Sequence, residues 1–194
     1  MRAIRVKRLG ISGIVLATVA LAGYGAMKGI AAAEPSSAAT VVDAGGSLRV
    51  PQDYLTTYQP LGSWAIAADQ GRGSKELHTV FASPGSIEAY RKDGHFPDGT
   101  VLVKEVFKTA TQELTTGTVS HADQLKGWFV MVRDSAGRHP GNALWGDGWG
   151  WSWFDAADPS KSKSANYMFE CKSCHVPAQA SDWVYVDGYP ALKR

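Results

Sequence analysis

Near its C-terminus the chain carries Cys171-Lys172-Ser173-Cys174-His175, the feature that most constrains its fold. C-x-x-C-H is the attachment motif of c-type haem. Two thiols separated by two residues can add to the two vinyl groups of one porphyrin, and the adjacent imidazole is then held beneath the ring as an iron ligand. The motif therefore predicts one covalently attached haem c, with Cys171 and Cys174 as anchors and His175 as the proximal iron ligand.

These two cysteines are the only ones in the chain, which bears on the other uses of a C-x-x-C pair. A structural zinc site needs four ligands, usually from paired knuckles, and the sequence has no second cysteine pair. A thioredoxin-like disulfide would follow a strand early in a βαβ unit, whereas Cys174 lies close to the C-terminus. Haem attachment is the interpretation that agrees with both the position and the number of the cysteines.

The N-terminus has the pattern of an export signal. Basic residues between Arg2 and Arg8 precede an uncharged, mostly apolar run over 9–27, and three alanines follow at 31–33. This pattern predicts a signal peptide over 1–33 and a periplasmic protein, which agrees with haem attachment outside the bacterial inner membrane. The alternative is an uncleaved membrane anchor, because the apolar run nearly spans a bilayer.

Removal of residues 1–33 reverses the sign of the net charge. The whole chain carries +2, and the segment contains five basic residues and no acidic one, so the remainder carries −3. The basic balance of the whole chain therefore gives no indication of a nucleic-acid partner. Residues 34–48 are rich in Ala, Ser and Gly and are predicted to be a flexible linker. Residues 49–194 would then form the haem domain.

Short β-rich runs separated by Gly- and Pro-containing turns predict the fold class. The runs are 77–82, 101–107, 127–132, 149–154 and 183–186. One helix is predicted from Ser83 as N-cap to about Lys92, where Gly94 ends it, and another from about Ser164 into the haem motif. Long helical periodicity, which a four-helix bundle requires, is missing. We expect an α+β fold, mainly an antiparallel β-sheet with a few helices and a single haem bound on one face.

The positions of the methionines bear on the iron coordination. No methionine follows His175, although small electron-transfer cytochromes take a sixth ligand from a Met far downstream of the motif. Met168 is too close to the motif to reach the opposite side of the haem, and Met131 lies in a strand-like run. We expect an open, five-coordinate iron, which indicates catalysis or gas binding. A sixth protein ligand would instead indicate a plain electron-transfer cytochrome.

The chain resembles the cytochrome P-460 family of periplasmic mono-haem proteins from about Val50 to Leu192. Besides the haem motif, the segments that carry the resemblance are Val-Pro-Gln-Asp-Tyr (50–54), His-Thr-Val-Phe-Ala-Ser-Pro (78–84), Phe-Pro-Asp-Gly-Thr-Val-Leu-Val-Lys-Glu (96–105) and Asp-Trp-Val-Tyr-Val-Asp-Gly-Tyr-Pro-Ala-Leu (182–192). The resemblance implies a small nitrogen ligand, either hydroxylamine or nitric oxide. It also implies a homodimer and a periplasmic cytochrome as electron acceptor.

The resemblance assigns Lys104 to the lysine that in this family is covalently bonded to a meso carbon of the haem. The residues are compatible with that role, because Leu102, Lys104 and Val106 would share one face of a strand. A buried amine has a lowered pKa and becomes nucleophilic. A solvated lysine on an edge strand, which keeps a sheet soluble, is the alternative.

The distal pocket is where the sequence departs from the hydroxylamine-oxidising members. The carboxylate that they place over the iron aligns with Phe129, and a basic residue of their pocket aligns with His78. A phenylalanine cannot move protons, whereas a histidine can act as a general base near neutral pH. His78 could equally be a structural imidazole. Phenylalanine-lined pockets are typical of the related cytochromes c′-beta, which bind nitric oxide and lack the cross-link.

Two functions follow as hypotheses. The first is a hydroxylamine-oxidising haem oxidoreductase that also handles nitric oxide, with His78 as proton acceptor and Phe129 restricting access. The alternative is a non-catalytic nitric-oxide-binding cytochrome of the c′-beta type. Phe129 favours the second hypothesis and Lys104 favours the first.

Overall fold

A computed structural model describes residues 38–193, and an antiparallel sheet of seven strands is the main element of this part of the chain. The strands are β1 (Gln59–Ala67), β2 (Ser74–Ala82), β3 (Val101–Leu114), β4 (Gly117–Arg133), β5 (Trp145–Gly146), β6 (Trp149–Asp155) and β7 (Asp158–Ser162). They pair in the order β1-β2-β3-β4-β6-β5, and β7 pairs with β6. The α+β fold predicted from the sequence is confirmed.

The helices are short and lie before, between and after the strands. The α-helices are α1 (Ala38–Val41), α2 (Tyr54–Thr57), α3 (Ser86–Asp93), α4 (Tyr167–Glu170) and α5 (Lys172–His175). Three 3₁₀ helices follow at Val176–Ser181, Val186–Gly188 and Pro190–Leu192. Within residues 38–193, none of the helices has the length and apolar character needed to cross a membrane.

The sheet separates two apolar cores because successive side chains of a strand point to opposite faces. On β3, Leu102 belongs to a core that also contains Trp149, Trp151 and the C-terminal segment. Its neighbours Val101 and Val103 belong to the other core. We call these the C-terminal face and the N-terminal face of the sheet, after the chain segments that cover them.

The first predicted helix exists but begins later than expected. Ser83 is not its N-cap: the Ser83 hydroxyl accepts a hydrogen bond from the backbone N–H of Val101 at 3.0 Å, which ties the end of β2 to the start of β3. The helix α3 starts at Ser86 after a turn, and it ends before Gly94 as predicted. Gly94 has a φ of 78°, the left-handed conformation in which glycine ends many helices.

One other helix boundary and one predicted strand were wrong. The helix predicted from Ser164 begins at Tyr167, because the Asn166 side chain accepts a hydrogen bond from the N–H of Met168 and acts as the N-cap. The run 183–186 is no strand: Trp183 has a φ of 66°, which is incompatible with extended backbone. Its apolar residues are buried by the C-terminal segment and not by strand pairing.

The predicted linker is wrong over residues 38–48. Val41 is completely buried and Leu48 is 4% exposed, and both pack in the core on the N-terminal face. A bridge between Val42 and Leu48 closes this segment into a hairpin-like loop. The Ala- and Ser-rich composition concealed the few apolar residues that hold the segment in place. Residues 34–37 and the predicted signal peptide 1–33 lie outside the described residues.

We expect Leu48→Ala to lower the free energy of unfolding by about 3 kcal/mol, because it removes a buried side chain and leaves a cavity. Leu55→Ala is the matched control, since Leu55 is 63% exposed, and its effect should stay within about 0.5 kcal/mol. Urea unfolding of the two variants measures both values. Equal effects would show that residues 38–48 do not contribute to the core.

Candidate functional site

A cavity of about 540 Å³ lies between the C-terminal face of the sheet and the C-terminal segment of the chain. Its walls are mostly apolar, and it receives side chains from β2, β3, β4, β6 and the residues after α4. The residues that the following paragraphs use are Glu76, His78, Lys104, Lys126, Phe129, Met131, Trp151, Trp153, Cys171, Cys174 and His175. The structure thus brings every sequence-predicted site residue to one cavity.

The C-x-x-C-H motif reaches the cavity through a break between α4 and α5. Cys171 has a φ of −122°, which interrupts the helical run and starts the second turn at Lys172. Cys171 is buried, and burial raises the pKa of its thiol to about 11. Cys174 is exposed to solvent and also lines the cavity. Both sulfur atoms are therefore available to a single group bound in this cavity.

The His175 ring is oriented by the backbone. Its Nδ1 lies 2.7 Å from the carbonyl oxygen of Trp183. A carbonyl only accepts hydrogen bonds, so Nδ1 carries the proton and Nε2 keeps the free lone pair. Burial lowers the pKa of His175, which favours the neutral ring that a metal ligand must be. Metal-bound histidines are commonly oriented in this way, by donation from the second nitrogen.

The Trp183 carbonyl is itself held by a strained turn. Asp182 and Trp183 have φ values of 61° and 66°, in the left-handed region that non-glycine residues rarely adopt. The buried Asp182 carboxylate accepts a hydrogen bond from the N–H of Phe96 at 2.8 Å and lies 3.3 Å from Nη2 of Arg133. Sequence reasoning missed Asp182 and Arg133, because their pairing depends on segments far apart in the chain.

Lys104 enters the cavity from the middle of β3. Leu102, Lys104 and Val106 share one face, as predicted, and all three line the cavity. Lys104 pairs with Phe129 across β3 and β4, and its Nζ lies 4.4 Å from the centre of the Phe129 ring. Burial lowers the pKa of Lys104. The amine is therefore a stronger nucleophile than a solvated lysine at neutral pH.

The next residue, Glu105, points to the opposite face. Its buried carboxylate accepts a hydrogen bond from the Tyr54 hydroxyl, which in turn accepts one from the indole N–H of Trp128 at 2.9 Å. Burial and the bond to Glu105 raise the pKa of Tyr54, so the hydroxyl remains protonated and can donate.

Beyond Lys104, the cavity is lined by an aromatic wall and a polar rim. Phe129 and Trp153 form the wall, with ring centres 4.5 Å apart. His78 forms part of the rim, and its Nε2 lies 2.9 Å from a carboxylate oxygen of Glu76. The Glu76 carboxylate also pairs with Lys126. Glu76 and Lys126 were not predicted; strand alternation from His78 would have found Glu76, but Lys126 depends on a local irregularity of β4.

An antiparallel sheet that closes an apolar cavity against a C-x-x-C-H segment defines the class of this protein as a haem-binding cytochrome. A comparison with family models supports this class, because the Cytochrome P460 model matches residues 51–186. The chain therefore belongs to the cytochrome P460 family, and it is a haem cytochrome of that family. A search of the curated proteins found no match to the chain.

The described residues fit a haem. The cavity volume lies within the range of about 300–1,000 Å³ that is usual for cofactor sites, and its walls are mostly apolar. Two thiols and an imidazole with a free Nε2 lone pair enter the cavity from consecutive turns of chain. This donor set suits a haem that is anchored through its vinyl groups and ligated by one histidine.

We expect Asp182→Asn to lower the free energy of unfolding by about 1–3 kcal/mol, because a buried charge interaction with Arg133 is lost. Asparagine tolerates the left-handed conformation, so the variant tests the charge and not the turn. Asp187→Asn, at an exposed position of the same segment, is the control and should change little. Urea unfolding of the haem-loaded protein measures the difference. Equal stabilities of the two variants would show that the Asp182 charge does not stabilise this turn.

Proposed function

We propose that this cytochrome is a periplasmic, c-type haem oxidoreductase that oxidises hydroxylamine and handles nitric oxide at an open, five-coordinate iron. The observation that carries the proposal is the buried amine of Lys104 in the same cavity as Cys171, Cys174 and His175. Among residues 38–193 no carboxylate forms an ion pair with Lys104, and withdrawing an amine from water without such a partner is costly. A covalent role would explain why the chain keeps it there.

Cys171 and Cys174 would hold the haem through thioether bonds, and His175 would ligate the iron through Nε2. The Trp183 carbonyl keeps that nitrogen unprotonated and fixes the plane of the ring. When bound, the haem supplies one-electron oxidation and reduction at an iron with a free coordination position. Electrons would leave to another periplasmic cytochrome, and the family suggests a homodimer.

Lys104 would form the covalent bond to the porphyrin that the resemblance implies. Its lowered pKa, caused by burial, leaves more of the amine unprotonated and able to form a carbon–nitrogen bond. Val80 and Phe129 are its cross-strand neighbours, and the Lys104 Nζ lies 4.4 Å from the centre of the Phe129 ring. A bond at this position would distort the macrocycle and alter its electronics.

His78 is the proton acceptor that hydroxylamine oxidation requires. Burial lowers the pKa of His78, so the ring is neutral at pH 7 and can accept a proton. Phe129 and Trp153 make one wall of the cavity apolar. An apolar pocket favours small uncharged substrates such as hydroxylamine.

The aromatic wall also favours a second function, the binding of nitric oxide without turnover. Phe129 occupies the position that carries a carboxylate in hydroxylamine-oxidising members, and it packs against Trp153. A pocket of this kind suits a diatomic ligand that needs no proton acceptor. Lys104 opposes this alternative, because cytochromes c′-beta lack the cross-link.

We expect the dithionite-reduced protein to show a broad, strongly red-shifted Soret band, because Lys104 is bonded to the porphyrin. After trypsin, the peptides that contain Lys104 and Cys171 should remain joined through the haem in mass spectra. Lys104→Met should restore an ordinary ferrous haem c spectrum. Lys108→Met, at an exposed position of the same strand, is the control and should keep the red shift.

Two separable peptides in the wild-type protein would exclude the cross-link and move the proposal to nitric oxide binding. A low-spin, six-coordinate resting spectrum would contradict the open iron. A sixth ligand would then come from a residue that lines the cavity, such as Met131, and the protein would be a plain electron-transfer cytochrome.

We expect steady-state oxidation of hydroxylamine with an artificial electron acceptor, and we expect His78→Gln to lower kcat by about 100-fold. The rate should fall as the pH drops through the pKa of His78, because the lowered pKa leaves the ring neutral at pH 7 and charged only in more acidic solution. No oxidation above that of free haem, together with tight nitric oxide binding, would select the non-catalytic alternative.

A further inference from the structure

Three ionisable side chains form a connected group at the rim of the cavity: Glu76 and His78 on β2, and Lys126 on β4. Each oxygen of the Glu76 carboxylate has its own partner. Oε2 lies 2.9 Å from Nε2 of His78, and Oε1 pairs with Nζ of Lys126. All three residues line the cavity. Glu76 therefore connects the imidazole of the distal site to a cation that lies partly in solvent.

Lys126 reaches this face only because β4 is irregular. Val106 pairs with Gly127 and Phe107 pairs with Leu125, so Lys126 is the extra residue of a β-bulge. In a regular strand Lys126 would share the face of Trp128 and point to the N-terminal side. Bulges often redirect a side chain next to a functional site. The local backbone is thus arranged to bring a cation to Glu76.

The hydrogen bond to Glu76 determines which nitrogen of His78 can accept a proton. Lys126 and His78 lower the pKa of Glu76, so its carboxylate is ionised and can only accept hydrogen bonds. Nε2 of His78 must then carry the proton and donate it to Glu76. The free lone pair of the neutral ring is consequently on Nδ1.

Two opposing influences act on the charge of His78. Burial lowers its pKa, and the hydrogen bond to Glu76 raises it. The Lys126 cation lowers it further. Glu76 and Lys126 thus act on His78 with opposite signs, although they are paired with each other.

The remaining residues that face His78 come from the neighbouring strands and from the opposite wall of the cavity. Its cross-strand neighbours, Trp64 on β1 and Val106 on β3, do not titrate. Lys108 on β3 pairs with Glu76 and is exposed. The groups on the opposite wall are Glu170, Cys171, Cys174, His175, Tyr185 and Tyr189.

We propose that Glu76 and Lys126 are the positioning residues of the distal site: Glu76 fixes His78 in the tautomer whose Nδ1 accepts a proton, and Lys126 holds Glu76 and promotes release of that proton. The inference rests on the proposed function, because it takes His78 as the proton acceptor for hydroxylamine. His78 takes one proton from the substrate through Nδ1 and no electron, and the resulting imidazolium returns one proton to water.

The test is an infrared titration of the ferrous carbon monoxide complex of the haem-loaded protein. The C–O stretch responds to the charge of nearby groups, so it should change in one step as His78 titrates. His78→Gln should remove the step. Glu76→Gln should move its midpoint about one pH unit lower, and Lys126→Gln should move it in the opposite direction, to a higher pH.

Two controls match the charge changes away from the cavity. Glu113→Gln alters an exposed carboxylate of the β3–β4 hairpin, and Lys161→Gln alters an exposed lysine of β7. Both should leave the midpoint unchanged. Glu76→Asp retains the charge and should return the midpoint towards the wild-type value. If Glu76→Gln does not fold, Glu76→Asp and Lys126→Gln together still provide the test.

Unchanged midpoints in the Glu76 and Lys126 variants, or shifts of the same sign, would overturn the inference. A purely structural role would lower stability without producing shifts of opposite sign. The titration needs no hydroxylamine turnover. Opposite shifts in a protein that does not oxidise hydroxylamine would therefore support the positioning roles and overturn only the proposed function.

Discussion

The structure depends on the register of β3, where two consecutive charged residues lie on opposite faces of the sheet, Lys104 half-buried and Glu105 buried. Lys104 points into the cavity, and Glu105 points to the other core, where the Tyr54 hydroxyl donates to it. A slip of one residue would exchange the two faces. It would place the Glu105 carboxylate on the cavity face and the Lys104 amine in an apolar core, where burial of an amine without a partner is costly. The Tyr54–Glu105 hydrogen bond thus helps to fix the position of Lys104 from the other side of the sheet.

The part of the site that follows from strand alternation could be predicted from the sequence. Alternation placed Leu102, Lys104 and Val106 on one face, and the short β-rich runs identified four of the strands in part. The rest depends on features that a pattern of apolar residues does not contain. Pro60 and Gly62 weaken the apparent strand propensity of β1, and the left-handed turn at Asp182 carries no glycine to reveal it. The packing of Val41 and Leu48 is decided by the sheet face that they cover, not by their Ala-rich surroundings.

The cavity is assembled from segments that are far apart in the chain. The strands supply Glu76, His78, Lys104 and Phe129, whereas the C-x-x-C-H motif at 171–175 lies near the C-terminus. The turn at Asp182 joins these two parts, because its carboxylate binds Arg133 at the end of β4 and its neighbour Trp183 binds His175. The orientation of the His175 imidazole is therefore linked to the sheet through one ion pair and one backbone hydrogen bond.

The polar rim formed by Glu76, His78 and Lys126 changes the interpretation of Phe129, which stands where hydroxylamine-oxidising family members carry a carboxylate. Aligned residue by residue, the chain lacks a distal carboxylate on β4, and that favours a gas-binding protein. In three dimensions a carboxylate is present at the cavity, but it comes from β2 as Glu76, and it acts next to His78. Proton transfer requires a base of suitable pKa within reach of the substrate, not a carboxylate at a particular alignment position. In the proposed function, His78 oriented by Glu76 would meet this requirement, so Phe129 alone does not argue against catalysis.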